Sequence, residues 1–329
     1  MKRKLLSCVA AFCVAACMFA LVGCGSSDEQ KKDAADSSES KSVTLGTLAT
    51  EDILPMWVAE KESLFKDEGV DCKIETFQSA TELIAAVNSG DVDVAMTDPM
   101  VTASLYGSGT DVQIAWVTLG TDASQGRFGI MTADKSVKSL KDLAGEPIGV
   151  GSNTILEYVM DKLMEKAGVP DSDIKVEELQ KLPVRYESMA SGQVKAAALP
   201  ASLLALGEAN GFKTVADDTK GDNLSQSVMI VRSEFVSDDA GKAVLDSLKK
   251  VWNKAVGEIN ANPSDYRSLL AEKASLSDKI AKTYKVSTYP ECELPKREMV
   301  DDILDWMKTK GYLAEGITYD AASGTFAGR

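Results

Sequence analysis

From Ser42 onward, short apolar runs alternate with longer amphipathic stretches. Ser42–Leu48 (SVTLGTL), Val70–Phe77 (VDCKIETF), Val92–Met96 (VDVAM) and Val112–Leu119 read as strands. Between them, the spacing predicts a helix from Leu54 to Phe65 with Pro55 in its first turn, a helix over Ala80–Ser89 closed by Gly90, and a helix after Thr97-Asp98-Pro99 to about Tyr106. A second series then opens. Arg127–Thr132, Pro147–Val150, Ile174–Leu179, Val194–Leu199 and Thr214–Ala216 read as strands. A short helix holds Leu140–Leu143. Longer ones run from Gly151-Ser152-Asn153-Thr154 to Ala167, over Val184–Ala190, and from Pro200 to Ala209. Ser227–Arg232 is a further strand. Helical spacing then runs from Asp238 through Ile259, around Tyr266, and again over Lys296–Met307.

Strands separated by helices of this length imply βαβ units and mostly parallel sheets. The two series are alike. NSGDVDVA at 88–95 and ASGQVKAA at 190–197 hold the same place in each, as an architectural repetition rather than a solenoid period.

The pattern breaks before Ser42. Met1-Lys2-Arg3-Lys4 is basic, Leu5–Leu21 is apolar and uncharged, and Val22-Gly23-Cys24 follows, which together read as an export signal of residues 1–23, an anchor helix left in place being the alternative. Leu21-Val22-Gly23-Cys24 resembles a bacterial lipobox, which implies diacylglyceryl and palmitate-type acylation of Cys24 and a stable anchor on the outer face of the cell membrane. Residues 24–42, rich in Ser, Asp, Glu, Lys and Ala, read as a flexible tether. Cys8, Cys13 and Cys17 fall within the signal, leaving Cys72 and Cys292 either to pair or to stay as buried free thiols.

Composition narrows the chemistry. A chain of 329 residues with 44% hydrophobic content can bury a sizeable core in about two domains. A net charge of -14 argues against nucleic acid as a partner and against adsorption to an anionic bilayer. The absence of histidine removes His-based triads and most zinc sites, and no Cys cluster suggests a metal. No catalytic residue, metal or cofactor is expected.

Several phrases carry a specific resemblance. PMWVAEK at 55–61, LFKDEGV at 64–70, NSGDVDVA at 88–95, VKSLKDLAG at 137–145 and MASGQVKAA at 189–197 resemble the nitrate/sulfonate/taurine and thiamine-precursor class of ABC importer substrate-binding proteins. The resemblance runs from about Val43 to Trp306. It implies an α/β, periplasmic-binding-protein-like type II fold: two α/β lobes, two crossover segments and C-terminal helices. Lobe 1 would comprise 43–123 plus 232–329 and lobe 2 would comprise 132–223, joined by hinge crossovers at 124–131 and 224–231. A ligand would sit in the cleft between them.

Ligands of parallel sheets sit beyond the carboxyl ends of strands. That rule selects Thr47 and Leu48 after the first strand, with Thr50 and Glu51 as ligand contacts or simple caps. It selects Thr97, Asp98 and Pro99, where Asp98 either accepts from a ligand amine or caps its helix. It selects Ser152, Asn153 and Thr154, whose amides and hydroxyls would form an oxyanion cradle, and Leu199 and Pro200, which offer shape alone. Arg127 clamps an anion, stays a surface Arg or forms an inter-lobe ion pair, and Arg185 has the same ambiguity. Trp57 either stacks on a ring or packs in the core. Gln226 and Ser227 lie at the second crossover.

The expected function is a monomeric, lipid-anchored solute-binding component of an ABC importer. It would capture a small organic anion or vitamin precursor and deliver it to a membrane permease. A lipid-anchored sensor and an exported enzyme on the same fold are the alternatives.

Overall fold

Two five-stranded sheets carry the fold. In this computed structural model the described residues are 42–329, apart from 222 and 275 and the side chains of 278 and 279. The expected signal 1–23, the lipidated Cys24 and all of the tether but Ser42 therefore lie outside the described residues.

The strands are β1 (Val43–Leu48), β2 (Cys72–Phe77), β3 (Val94–Thr97), β4 (Val112–Leu119), β5 (Phe128–Thr132), β6 (Pro147–Val150), β7 (Lys175–Glu178), β8 (Ala196–Pro200), β9 (Lys213–Asp217) and β10 (Ser227–Arg232), followed by the hairpin β11 (Thr318–Asp320) and β12 (Thr325–Ala327). The helices are α1 (Leu54–Lys61), α2 (Leu64–Asp67), α3 (Ala80–Ser89), α4 (Pro99–Gly107), α5 (Ile155–Lys166), α6 (Leu182–Ala190), α7 (Ala201–Ala209), α8 (Asp239–Ala261), α9 (Arg267–Lys273), α10 (Asp278–Ala281) and α11 (Arg297–Thr309). No helix of the described residues is long and apolar enough to cross a membrane.

Both sheets use one plan. Lobe 1 orders its strands β2-β1-β3-β10-β4, and lobe 2 orders its strands β7-β6-β8-β5-β9. β1 pairs in parallel with β2 and β3, and β6 with β7 and β8. The strand that enters each sheet from the other lobe, β10 or β5, runs antiparallel to both of its neighbours. The sheets are therefore mixed, not mostly parallel: a strand arriving from across the cleft meets the sheet head-on. Because β5 starts at Phe128 and β10 at Ser227, the segments joining the sheets are 120–127 and 218–226. All of 128–131 and 227–231, which the sequence assigns to the crossovers, lies within strands.

Local chemistry explains the helix boundaries. Ser79 Oγ accepts from Glu82 N at 3.2 Å to start α3, and Gly90 ends it at φ 85, a left-handed value that glycine adopts without penalty. The helix expected from 54 to 65 breaks at Ser63 (φ 62), which separates α1 from α2. α1 and α8 cover one face of the first sheet. Their core includes Trp57, Trp116 and Trp252, each at most 1% exposed, and truncating any of them to Ala would cost on the order of 3–5 kcal/mol. Trp57 is thus a core residue. The β11–β12 hairpin, absent from the sequence reading, and the segment before α11 cap the edge of β4: Ile114 N donates to Gly324 O in the hairpin turn at 2.8 Å, and Val117 N donates to Glu293 O at 2.8 Å. Cys72 and Cys292 are free thiols, and burial pushes each up to about 12, which makes them poor nucleophiles.

Candidate functional site

The ends of strands from both sheets converge on one cavity of about 60 Å³, room for on the order of five water molecules. Lobe 1 contributes Leu48 at the end of β1 with Thr50 and Asp52 after it, and Met96 and Thr97 at the end of β3 with Asp98 after them. Lobe 2 contributes Thr154 and Ile155 at the start of α5, Gln180 after β7, Arg185 on α6 and Pro200 at the end of β8. Phe128 and Ser227, the first residues of the two strands that cross between lobes, complete the wall. Leu156 and Leu182 add apolar surface.

The lobe 1 wall is acidic. Asp52 is 4% exposed; Thr50 Oγ1 donates to its Oδ2 at 3.1 Å, while Oδ1 has no hydrogen-bond partner. Burial raises Asp52 to about 6, the Thr50 and Ser227 hydroxyls oppose the shift, and the charge of Asp98 adds to it. Asp98 caps α4 by accepting from Val101 N at 2.8 Å, and burial raises it to about 6 although the amides of Val101, Ile155 and Met100 favour its ionised form. Ile155 opens α5 in the other lobe, so this carboxylate reaches across the cavity. Glu51, beside Asp52, is buried with both carboxylate oxygens unpartnered. Burial, with help from the charge of Asp52, raises it to about 8.

The lobe 2 wall is closed on itself. Ser152 donates from its amide to Glu178 Oε2 at 3.2 Å, and its hydroxyl also bonds Glu178. Asn153, at φ 58, donates from its amide to Glu157 Oε2 at 2.7 Å. Thr154 Oγ1 turns back to Gly151 O at 2.7 Å. Glu178, Glu157 and Asp98 thus supply the negative charge that the start of α5 attracts, and the expected oxyanion cradle is filled by the protein's own carboxylates. Arg185, 2% exposed, donates from Nε to Leu179 O at 2.8 Å, from Nη1 to Ala198 O at 3.0 Å and from Nη2 to Gln180 O at 3.3 Å. Burial lowers it to about 10, and Glu178 opposes the shift, so it remains cationic at neutral pH. Gly151 is required here, because a Cβ at that position would lie 2.7 Å from Arg185 Nη2.

Contacts between the lobes flank the cavity. Asn153 Nδ2 donates to Ser104 Oγ on α4 at 2.8 Å, Leu182 N donates to Gln78 O at 3.2 Å, and Lys181 pairs with Glu82 at 2.8 Å. Along α5, Tyr312 OH donates to Glu157 Oε1 at 3.0 Å and Trp306 Nε1 to Asp161 Oδ2 at 3.2 Å.

Of the sequence candidates, Leu48, Thr97, Asp98, Thr154, Pro200 and Ser227 line the cavity. The other seven do not. Thr47 is fully buried in β1 and bonds the Leu48 carbonyl, while Pro99 is the buried first residue of α4. Ser152 and Asn153 are held as above, and Leu199 is core. Arg127, at the end of the first crossover, makes a two-pronged contact with Glu208 (2.7 and 3.2 Å) and bonds Asp217 at 2.9 Å, both in lobe 2, so its charge is already matched. Gln226 Nε2 and Asn223 Nδ2 both donate to Gly120 O, at 3.3 and 2.9 Å, which ties the two crossovers together. Asp52 and Gln180 were missed. Each follows the end of a parallel strand by two to four residues, so the strand-end rule carried further along the loop would have reached them. Arg185 was weighed as a surface or ligand-clamping residue. Its burial comes from the turn of α6 beneath Gly151, which sequence spacing does not reveal.

A family model described as NMT1/THI5 like matches residues 50–265. No curated protein sequence matches the chain. Among solved structures, the alkanesulfonate-binding protein SsuA from Xanthomonas axonopodis pv. citri, bound to MOPS, superposes with a TM-score of 0.72 at 16% identity, over 83% of this chain and 94% of that one. The periplasmic aliphatic sulphonate binding protein SsuA from Escherichia coli gives 0.69 at 14% identity, over 84% and 94%. The periplasmic nitrate-binding protein NrtA from Synechocystis PCC 6803 gives 0.70 at 12% identity, over 84% and 83%. At these identities the likeness establishes the fold, which is that of the periplasmic binding proteins.

Proposed function

The chain belongs to the NMT1/THI5-like family, and on that premise we propose that it is a lipid-anchored, extracytoplasmic solute-binding protein of an ABC importer. The observation that carries this reading is the cavity whose walls come from both lobes, with Asp52 and Asp98 on one side and Thr154 and Arg185 on the other. A solute touching both walls favours the closed arrangement over the open one, and the free energy of that preference drives closure. The crossovers at 120–127 and 218–226 act as the hinge, cross-braced at Gly120. The protein makes and breaks no bond: it captures, closes and presents its cargo to a membrane permease. Its likeness to sulfonate- and nitrate-binding proteins supports this reading, as do the basic start and apolar run before Cys24. The protein acts as a monomer.

Two measurements test the proposal. The Cys24→Ala chain, washed free of solute and exposed to the small-molecule fraction of growth medium, should take up one solute detectable by native mass spectrometry. Small-angle scattering should show it become more compact on uptake. A chain that gains no mass and keeps its radius of gyration in every fraction is not a solute receptor. The wild-type protein should carry acyl chains on Cys24, and an unmodified thiol there would end the anchoring claim.

A further inference from the structure

One acid of the cavity lining has an oxygen without a partner. Asp52 lines the cavity, and its Oδ1 is buried with no hydrogen-bond partner. A buried carboxylate oxygen left so is costly, because it has given up its hydration without gaining a donor. Asp98 lines the same cavity, close enough for its charge to act on Asp52.

The opposite wall offers little to an anion. The amides of Ser152, Asn153 and Ile155 face Glu178, Glu157 and Asp98. Arg185 has each of its three nitrogens on a backbone carbonyl, and its charge offsets only one of the two aspartates. The rest of the lining is largely apolar, with Met96, Phe128 and Ile155 among it.

We infer that the solute presents a cationic or N–H-donating nitrogen (an amine, an amidinium or an amino-substituted ring) to Asp52 and Asp98, and that the cavity takes nitrogen-bearing solutes in preference to simple oxyanions. The inference rests on the solute-binding reading above and sharpens it. The nitrogen satisfies Oδ1 through a charge-assisted hydrogen bond, and the apolar lining takes the hydrocarbon or ring part. This sets the chain's chemistry apart from what the names of its nitrate- and sulfonate-binding neighbours suggest for theirs.

The test titrates ethylguanidinium, benzylammonium and 2-aminopyridinium against propionate, ethanesulfonate and nitrate, into wild type, Asp52→Asn and Asp52→Ser, by ligand-observed NMR and calorimetry. At least one nitrogen probe should bind wild type about tenfold or more tightly than any anion, and both variants should lose about tenfold or more of that affinity while remaining folded by circular dichroism. Tighter binding of an anion would overturn the inference and leave the receptor reading intact. Equal affinity of Asp52→Asn and wild type would place the nitrogen elsewhere and also overturn it. So would the failure of every nitrogen probe to bind at about 10 mM, whereas the receptor reading stands or falls separately on the closure measurement.

Discussion

The two walls of the cavity come from sheets of identical strand order, yet they are built in opposite ways. After the first strand of lobe 1 the chain places Thr50, Glu51 and Asp52 in a buried turn with carboxylate oxygens unpartnered. After the equivalent strand of lobe 2 it places Gly151–Thr154, where the amides at the start of α5 have found acids of their own. After the third strand, lobe 1 has Asp98 and lobe 2 has Pro200. A shared topology brings strand ends face to face, but it does not decide which face carries unsatisfied charge. One wall has its charged groups matched before any solute arrives, and the other is left with carboxylate oxygens unpartnered.

The strongest way to break this contrast is Arg185→Leu. It leaves the carbonyls of Leu179, Gln180 and Ala198 without donors inside the lobe 2 wall. We expect a loss of about 3 kcal/mol or more, read from a fall in urea midpoint at unchanged m-value. The reverse is expected on the other wall. Asp52→Asn removes a buried charge and should stabilise the solute-free protein by ~1–3 kcal/mol near pH 8, while a stability loss there would mean that Oδ1 is well solvated.

That difference is also titratable. Asp52 and Asp98 are raised to about 6 and Glu51 to about 8, each chiefly by burial. A carboxyl raised in the folded state contributes stability that is full below its unfolded value near 4 and is lost as pH climbs through its folded value. Melting temperature should therefore fall as pH rises from about 5 to 8, and Asp52→Asn should flatten the slope. A profile rising over that window would contradict the acidic wall. The smallest effect is expected at the seam. Asn153→Ala loses the bond to Ser104 and leaves at φ 58 a side chain that tolerates the left-handed region less well than asparagine, costing about 1 kcal/mol, whereas Asn153→Gly keeps the backbone at ease and should cost less. Equal losses for the two would show that the backbone conformation is not what matters there.

Much of the fold was legible because strands and helices announce themselves by period. Val112–Leu119 and Ser227–Arg232 were recovered to within a residue, and the α3 cap at Gly90 followed from glycine alone. Strand direction was not legible: nothing within PIGV or SVMIVR says whether its neighbours run with it or against it. The β11–β12 hairpin escaped because three-residue strands carry too few alternations to register. At the site, the strand-end rule found Thr97, Asp98 and Thr154, but it could not see that the acids meeting the amides of 152 and 153 would come from Glu178 and Glu157. Whether Arg127 clamps an anion or pairs with an acid was not legible, because its partners Glu208 and Asp217 lie some eighty to ninety residues away in sequence.

The placement of β10 also bears on how the chain is assembled during synthesis. Every strand of the second sheet lies between 128 and 217, so that half can close as soon as its own residues have emerged. The first sheet keeps a slot between β3 and β4 that only residues 227–232 can fill. The earlier-made half must therefore wait, with an unzipped seam, for a strand made more than a hundred residues later, the kind of distant pairing that slows folding and exposes sticky edges. Pulsed hydrogen exchange should find the amides of β6 and β8 protected before those of β3 and β4.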